Sequence, residues 1–338
     1  LLFDDIPDRM TVEDSDRFGS FASAQCHVTN ELVLWISGKG QGTLGRFLFC
    51  PTPYCGRMAG RQLGGASYLE TIGRELLPEV EIFWTGPDII SREITVPHVR
   101  ELQEILRRKP LIWDNLQAND YDGRRFFCGP YADRPPELRA EVTGMLINPN
   151  CEYALNYVPI RTLGEFVHGK GRWDARDAYL RAMREWHDQF DTIGQPLAFE
   201  DLLFLGDSYY LPFDDGPVAE LYFQTARKVL STPPSKWGPE ATSFRLQTQR
   251  YRDFCARLAE LKNRPLFYAL SRRIWELREE LDLLARYMAG KDDGRLPDAA
   301  CSSDYHLPNT YRGGFVPRLQ RLLVQHPDET FTPSPASS

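Results

Sequence analysis

Two aspartates stand side by side behind the first apolar residues of the chain, in Leu1-Leu2-Phe3-Asp4-Asp5-Ile6-Pro7-Asp8. Three uninterrupted apolar residues read as the end of a strand buried on both faces, and the proline stops further pairing. In open α/β sheets and (β/α)8 barrels, chemistry sits at the carboxyl ends of the strands. Asp4 and Asp5 therefore stand where catalytic groups are expected, although an Asp-Asp pair also suits the cap of a following helix. Other strand-like stretches close on Tyr54, on Thr85, on Asp114 with Asn115, and on Asn148. Trp113 adds an aromatic wall. Turn residues gather at strand ends in any protein, so one coincidence means little, but five in register describe a polar rim. Carboxylates, amides and aromatic rings with little positive charge suit a neutral, hydroxyl-rich ligand. A sugar fits better than a phosphate.

The elements that must position these groups alternate through the first half. Buried strands are expected at the opening residues, at Phe47–Cys50, Val80–Trp84, Leu111–Trp113 and Met145–Ile147. Amphipathic runs lie between them: about Asp14–Ile36, closed by Gly38, Gly40 and Gly42, then Ser67–Leu77 and Pro97–Lys109. Strands that alternate with helices make a parallel α/β arrangement. A (β/α)8 barrel needs eight strands and only five are present. Either three strand–helix units precede residue 1, so that the chain starts at the fourth strand, or the sheet is open. From about Arg172 the pattern becomes helical, with 3.6-residue apolar spacing over Trp173–Phe190, Phe199–Tyr209, Gly216–Ser231, Ser243–Leu261, Pro265–Ala289 and Val316–Val324 and no strand signal. The expected division is thus an α/β part over 1–168, an all-α bundle over 169–328 and a Pro/Ser/Thr-rich disordered tail over 329–338.

Composition removes several classes. The chain of 338 residues is 42% hydrophobic and 26% charged, with a net charge of −7, which gives no electrostatic reason to expect nucleic acid. No apolar run approaches the roughly 20 residues needed to span a bilayer. Seven cysteines without a repeating spacing argue against a disulfide framework and suit a reducing, cytoplasmic compartment. Cys50 and Cys55 lack a second pair, so no zinc site is expected. His27, His98, His168, His187, His306 and His326 do not gather at strand ends and receive no chemistry. The three glycines after the first helix follow a helix rather than a strand, so they read as a connector and not a phosphate loop.

Five blocks of the sequence resemble the motifs of glycoside hydrolase family 84, the O-GlcNAcases, in the family's order and spacing. They are Leu2-Phe3-Asp4-Asp5-Ile6; Phe47-Leu48-Phe49-Cys50-Pro51-Thr52 with Tyr54-Cys55-Gly56; Trp84-Thr85-Gly86-Pro87; Trp113-Asp114-Asn115 with Ala118-Asn119-Asp120-Tyr121-Asp122; and Asn148-Pro149-Asn150-Cys151-Glu152. Tyr210-Leu211-Pro212 with Gly216-Pro217, and Tyr311-Arg312-Gly313-Gly314-Phe315 with Leu319-Gln320-Arg321-Leu322-Leu323, resemble the helical stalk of its animal members. The resemblance covers nearly all of residues 1–326. It implies a (β/α)8 TIM barrel followed by a stalk-like helical bundle, with two chains pairing through the helices. The family's first three barrel strands, which carry further sugar contacts including a lysine, are absent from this sequence. So is the low-complexity insert of animal members, which leaves barrel and stalk joined near Gln189–Phe199.

By resemblance, Asp4 orients and polarises the 2-acetamido N–H of a β-GlcNAc unit, while Asp5 is the general acid and then the base for water. Tyr54 resembles the tyrosine that hydrogen-bonds the acetamido oxygen, Trp113 the tryptophan lining the acetamido pocket, and Asn115 the asparagine beside them. Asp120 and Asn148 resemble the residues that bind the 4- and 6-hydroxyls, and Tyr121 a residue at the pocket mouth. The spacing of the acids agrees with a substrate-assisted route. A glycosidase with its own nucleophile needs carboxylates roughly 5 Å apart on opposite sides of the scissile bond. Neighbouring residues, with α-carbons ~3.8 Å apart, serve one side, which leaves the acetamido oxygen as nucleophile and an oxazoline as intermediate. Two close carboxylates do not both ionise easily, which gives a reason for one to hold a proton while the other stays charged. Taken singly, Tyr54 also reads as a loop anchor, Asn148 as a turn residue before proline, Asp120 as an Asx turn and Trp113 as core filling. The expected activity is that of a retaining exo-β-N-acetylglucosaminidase acting on O-linked GlcNAc of Ser/Thr, without cofactor or metal. A hexosaminidase of chitin- or glycan-derived GlcNAc shares the same pocket motifs. A GlcNAc-binding module that has lost catalysis is the rival from another class, and the presence of both aspartates argues against it.

Overall fold

A computed structural model describes residues 1–39, 45–60, 63–292, 313–327 and 330–334. Gly40, Gly42, His306, Tyr311 and Arg312, singled out in the sequence, lie outside the described residues, as do positions 329 and 335–338 of the tail. The chain divides into two compact units, and the division does not fall at one point near residue 168. The first holds 1–116, 131–148 and 164–173; the second holds 117–130, 149–163 and 174–338.

In the first unit, strands β1 (Phe47–Phe49), β2 (Val80–Trp84), β3 (Leu111–Asp114) and β4 (Gly144–Ile147) lie in chain order and run parallel. The opening residues are a single parallel bridge, Leu2 to Cys50, rather than a full strand. Phe3 N–H donates to Cys50 O at 2.9 Å and Cys50 N–H to Leu1 O at 3.0 Å. All five expected strand positions are therefore occupied in sequence order.

Period-two alternation sorts the side chains of β2. Val80, Ile82 and Trp84 are fully buried among Val33 of α2 (Phe21–Gly38), Ile72 of α3 (Ser67–Glu75) and Leu102 of α4 (Val96–Leu106). Phe83 faces the other way, into a small cluster with Cys50, Tyr54, Leu111 and Trp113. Helix α3 can approach α4 because Gly73 has no side chain: a Cβ there would sit 2.2 Å from Ile105 O. The single amphipathic run expected over Asp14–Ile36 is two helices. α1 (Val12–Phe18) ends on Gly19 with φ +73°, and Ser20 accepts from Ser23 N–H to start α2.

The second unit is mainly helical. It contains α6 (Ala175–His187), α7 (Phe199–Ser208), α8 (Pro217–Ser231), α9 (Pro239–Arg257), α10 (Arg264–Asp292) and α11 (Phe315–Gln320). α5 (Tyr157–His168), which sequence spacing does not mark, begins in this unit and ends in the other. Aromatic rings fill its centre, with Phe204 stacked on Tyr251 at 3.6 Å between ring centroids and Tyr222 edge-on to both. Buried Asp207 explains the Gly216-Pro217 block. Its carboxylate takes both prongs of Arg176 and caps α8 through Val218 N–H at 2.8 Å, leaving a Cβ on Gly216 only 2.3 Å from the carboxyl carbon. The helix expected over Val316–Val324 stops at Gln320. Residues Leu323–Gln325 (β5) instead pair antiparallel with Phe331–Pro333 (β6), and the ring of Phe331 is fully buried, so this part of the expected disordered tail is ordered.

Candidate active site

Asp4 and Asp5 occupy a turn directly after the Leu2–Cys50 bridge, at the carboxyl edge of the parallel sheet. Asp4 is half-buried and Asp5 is exposed. Asp5 adopts φ +54°, a left-handed conformation that Asp and Asn tolerate better than most residues. The backbone behind the pair is held by side chains that sequence reasoning missed. Thr52 Oγ1 donates to Phe3 O at 2.6 Å, and buried Gln25 Nε2 donates to Thr52 Oγ1 at 2.8 Å. Tyr68 OH donates to Gln25 Oε1 and accepts from Thr52 N–H. Only Thr52 had a sequence signal, because it lies in the Pro-Thr-Pro loop after β1; nothing in the spacing ties Gln25 on α2 to that loop.

Tyr54 lies in the same loop. Its carbonyl accepts from Thr85 N–H at 3.0 Å, while Gly56 N–H donates to Gly86 O and Arg57 N–H to Pro87 O, so the loops after β1 and β2 are laced together. A Cβ on Gly56 would meet Pro87 O at 2.9 Å, which accounts for a glycine at the crossing. The Tyr54 phenol is pushed up to about 12, first by burial and then by the charge of Asp5, Cys55 and Asp4. The same two aspartates, after burial, raise the Cys50 thiol. Tyr54 and the carboxylates thus share one electrostatic environment, in which the phenol remains a donor. Trp113 is half-buried beside Phe83 at 4.9 Å between centroids, in the cluster that contains Tyr54.

Asn115 and Asn148 are joined at the ends of β3 and β4. Asn148 Nδ2 donates to Asn115 Oδ1 at 3.2 Å, its main-chain N–H donates to Asp114 O at 2.7 Å, and Asn115 Nδ2 donates to Ile89 O at 2.8 Å. Asp114 and Thr85, read as rim groups, do other work. Asp114 is fully buried in a two-pronged ion pair with Arg134, at 2.7 and 2.8 Å. Thr85 is buried, donating to Asp88 O and, through its carbonyl, accepting from Ser91 Oγ. The first unit therefore brings Asp4, Asp5, Tyr54, Trp113, Asn115 and Asn148 to one edge of its sheet.

Asp120 and Tyr121 belong to the second unit, on a loop without regular structure. Asp120 is exposed and accepts from Tyr121 N–H at 3.1 Å, a bond to the adjacent residue rather than the bond two residues on that defines an Asx turn. Tyr121 stacks on Phe127 at 6.3 Å, and burial raises its phenol. His98, given no chemistry, accepts from buried Trp84 Nε1 at 2.9 Å, and burial lowers its imidazolium.

A family model described as beta-N-acetylglucosaminidase matches residues 1–198. Protein O-GlcNAcase from Rattus norvegicus and from Mus musculus are each 47% identical over 163 residues, covering 48% of this chain and 17% of theirs. The chain thus spans less than a fifth of the length of those relatives. Among solved structures, a mutant O-GlcNAc hydrolase of Thermobaculum terrenum aligns with a TM-score of 0.64 at 22% identity, over 86% of this chain and 58% of that one. CpGH84B aligns with a TM-score of 0.66 at 16% identity, over 86% and 49%. At these identities the likeness speaks for the fold.

Proposed function

The chain belongs to the β-N-acetylglucosaminidase family, and from that premise we propose that it serves a retaining exo-β-N-acetylglucosaminidase that removes GlcNAc β-linked to Ser/Thr of proteins. The observation that carries the reading is that Asp4, Asp5, Tyr54, Trp113, Asn115 and Asn148 all stand at the carboxyl edge of one parallel sheet. The identity of 47% to proteins named Protein O-GlcNAcase supports the substrate class. Asp4, Asp5, Tyr54, Trp113, Asn115, Asp120, Tyr121 and Asn148 are the proposed site residues, in the roles that the resemblance implies.

The chemistry follows from what each group can do. Asp4, half-buried, holds and polarises the acetamido N–H, so the acetamido oxygen attacks the anomeric carbon and closes an oxazoline. Tyr54 hydrogen-bonds that oxygen as oxazoline character develops, which places the oxygen in the closing ring. Asp5, exposed, gives its proton to the departing Ser/Thr oxygen, then takes one from the water that opens the ring. Asn115, with one amide hydrogen committed to Ile89 O, keeps the other for ligand.

On the same reading, the five parallel strand positions are the last five of a (β/α)8 barrel. The α-rich region is the stalk-like domain, through which two chains form a homodimer. The reading also places the protein in the cytoplasm, in keeping with Cys26, Cys50, Cys55, Cys128, Cys151 and Cys255 as free thiols. The test compares GlcNAc release from an O-GlcNAc-modified protein, from a chitin oligomer and from an aryl β-GlcNAc. Release from the modified protein is expected. Preference for the oligomer would move the assignment to a chitin or glycan hexosaminidase, and binding of GlcNAc without any release would make the chain a lectin-like module.

A further inference from the structure

We infer that Arg273 and Glu276 of α10 are positioning residues for the loop 118–125, which rests on the reading of Asp120 as a sugar-binding group. The loop has turns but no helix or strand to fix it, so its shape depends on its tethers. Two of those tethers, Arg273 and Glu276, start from α10, and Arg125 is also held by Pro212 O at 3.2 Å; all of these residues belong to the second unit.

Arg273, 5% exposed, reaches Glu152 at 2.7 Å and donates through the same nitrogen to Gly123 O at 3.1 Å and Arg125 O at 3.3 Å. Its other terminal nitrogen donates to Ala269 O at 2.7 Å, one turn back on the helix. Glu152 passes the hold to the near side of the loop: its second oxygen accepts from Asn119 Nδ2 at 3.0 Å. Asn119 also donates to Arg125 O at 3.0 Å and accepts from Cys151 N–H at 2.8 Å. One turn along α10, Glu276, 4% exposed, takes Arg124 at 2.6 Å and Arg272 at 3.2 Å. Within the loop Asp122 pairs with Arg125 at 3.1 Å.

Residues on both sides of Asp120 and Tyr121 are therefore pinned by buried, charge-assisted bonds, while the Asp120 carboxylate is left to solvent. Fixing the neighbours but not the carboxylate itself is how a scaffold presents a binding group at low entropic cost. The helical region thus has a part in recognising the sugar, through side chains that never touch it. Glu276→Gln removes the charge and keeps the shape, so it should loosen the loop, with a cost in stability because Arg124 and Arg272 lose their ionised partner.

Hydrogen exchange and kinetics on the whole chain test this. In Glu276→Gln, amides 119–125 should exchange about tenfold faster while those of α8 are unmoved. Free GlcNAc should slow exchange at 119–122 in the wild type and fail to do so at the same concentration in the variant. KM for an aryl β-GlcNAc should rise about tenfold with kcat within about threefold, the pattern of lost uniform binding. That KM effect should vanish in an Asp120→Asn background. Arg273→Lys, which keeps the charge but loses the fork, should loosen 123–125 and serves should Glu276→Gln fail to fold. Unchanged exchange in both variants, or a KM effect that persists in full with Asp120→Asn, overturns the inference. An inactive wild type whose loop is still protected by GlcNAc would count against the proposed catalysis and leave the positioning role standing. Loop tethering without any protection by GlcNAc would overturn the role assigned to Asp120 and this inference with it.

Discussion

Arg134 reaches Asp114 with two nitrogens, at 2.7 and 2.8 Å, and both side chains are wholly shielded from water. Arg134 also donates to the carbonyls of Ser91, Arg92 and Ala132, so one guanidinium joins the end of β3 to the segment after β2 and to the 131–134 turn. The residue after Asp114 is Asn115, so this pair fixes the backbone from which a proposed site residue projects.

Breaking that pair from one side should be severe. Arg134→Met leaves a buried carboxylate without its partner, for which about 3–5 kcal/mol of destabilisation is expected. Asp114→Leu combined with Arg134→Met should cost less than Arg134→Met alone, since no charge is then stranded. Urea midpoints of the wild type, both single variants and the double decide it. A double variant as unstable as the sum of the singles would show that the two side chains act independently and would overturn the prediction.

The Gln25, Thr52 and Tyr68 network predicts a separable effect behind the acidic pair. Gln25→Leu leaves the Tyr68 hydroxyl proton without its acceptor and removes the donor to Thr52, which should cost about 1–3 kcal/mol. Because Thr52 holds the carbonyl of Phe3, next to Asp4, kcat should fall more than the stability loss explains at temperatures where the variant remains folded. A variant of lowered midpoint with unchanged kcat would make the network purely structural.

What the sequence disclosed and what it hid follow from how local each feature is. The parallel strands were legible because burial on both faces leaves uninterrupted apolar runs such as Val80–Trp84 and Leu111–Trp113, and most close on a polar residue or a turn. The break at Gly19-Ser20 was hidden by the continuous apolar spacing on either side of it. α5 went unmarked between the Asn148-Pro149-Asn150 stretch before it and Gly169 and Gly171 after it. The destination of a polar strand-end residue was not legible at all. Asp114 and Asn115 are adjacent and equally polar, yet one turns to Arg134, 20 residues away, and the other to Asn148. The composition of the loop 118–125 likewise says nothing of the residues 150 positions away on α10 that hold it.

Burial of Glu280 on α10 predicts a pH dependence of stability. Its carboxyl is pushed up to about 8 by burial, with Glu279 and Glu276 adding to the rise and Gln320 and Arg124 opposing it. The folded state therefore binds this proton more tightly than the unfolded chain, where the ordinary value is 4.5. Stability from this group is fully present below about pH 4.5 and is lost as pH rises toward 8, at up to on the order of 1 kcal/mol per pH unit. Glu280→Gln should flatten that slope and raise the midpoint of unfolding at pH 8. A slope unchanged by the substitution would remove Glu280 as its source.

The two adjoining acids should separate by leaving group. Loss of the proton donor in Asp5→Asn should reduce turnover about 10²–10⁴-fold for an alkyl or seryl glycoside, whose leaving oxygen needs protonation, and far less for an aryl glycoside with an acidic phenol. Asparagine is the right substitution because it tolerates the left-handed backbone at φ +54°; Asp5→Ala would add strain to the loss of function. Asp4→Asn should damage both substrates alike, since polarising the acetamido group precedes departure of either leaving group. Hence the ratio of aryl to alkyl turnover should rise steeply in Asp5→Asn and stay near the wild-type value in Asp4→Asn. Equal ratios in the two variants would assign both acids the same role. A rise confined to Asp4→Asn would exchange the roles, and would place the proton donor on the half-buried carboxylate instead of the exposed one.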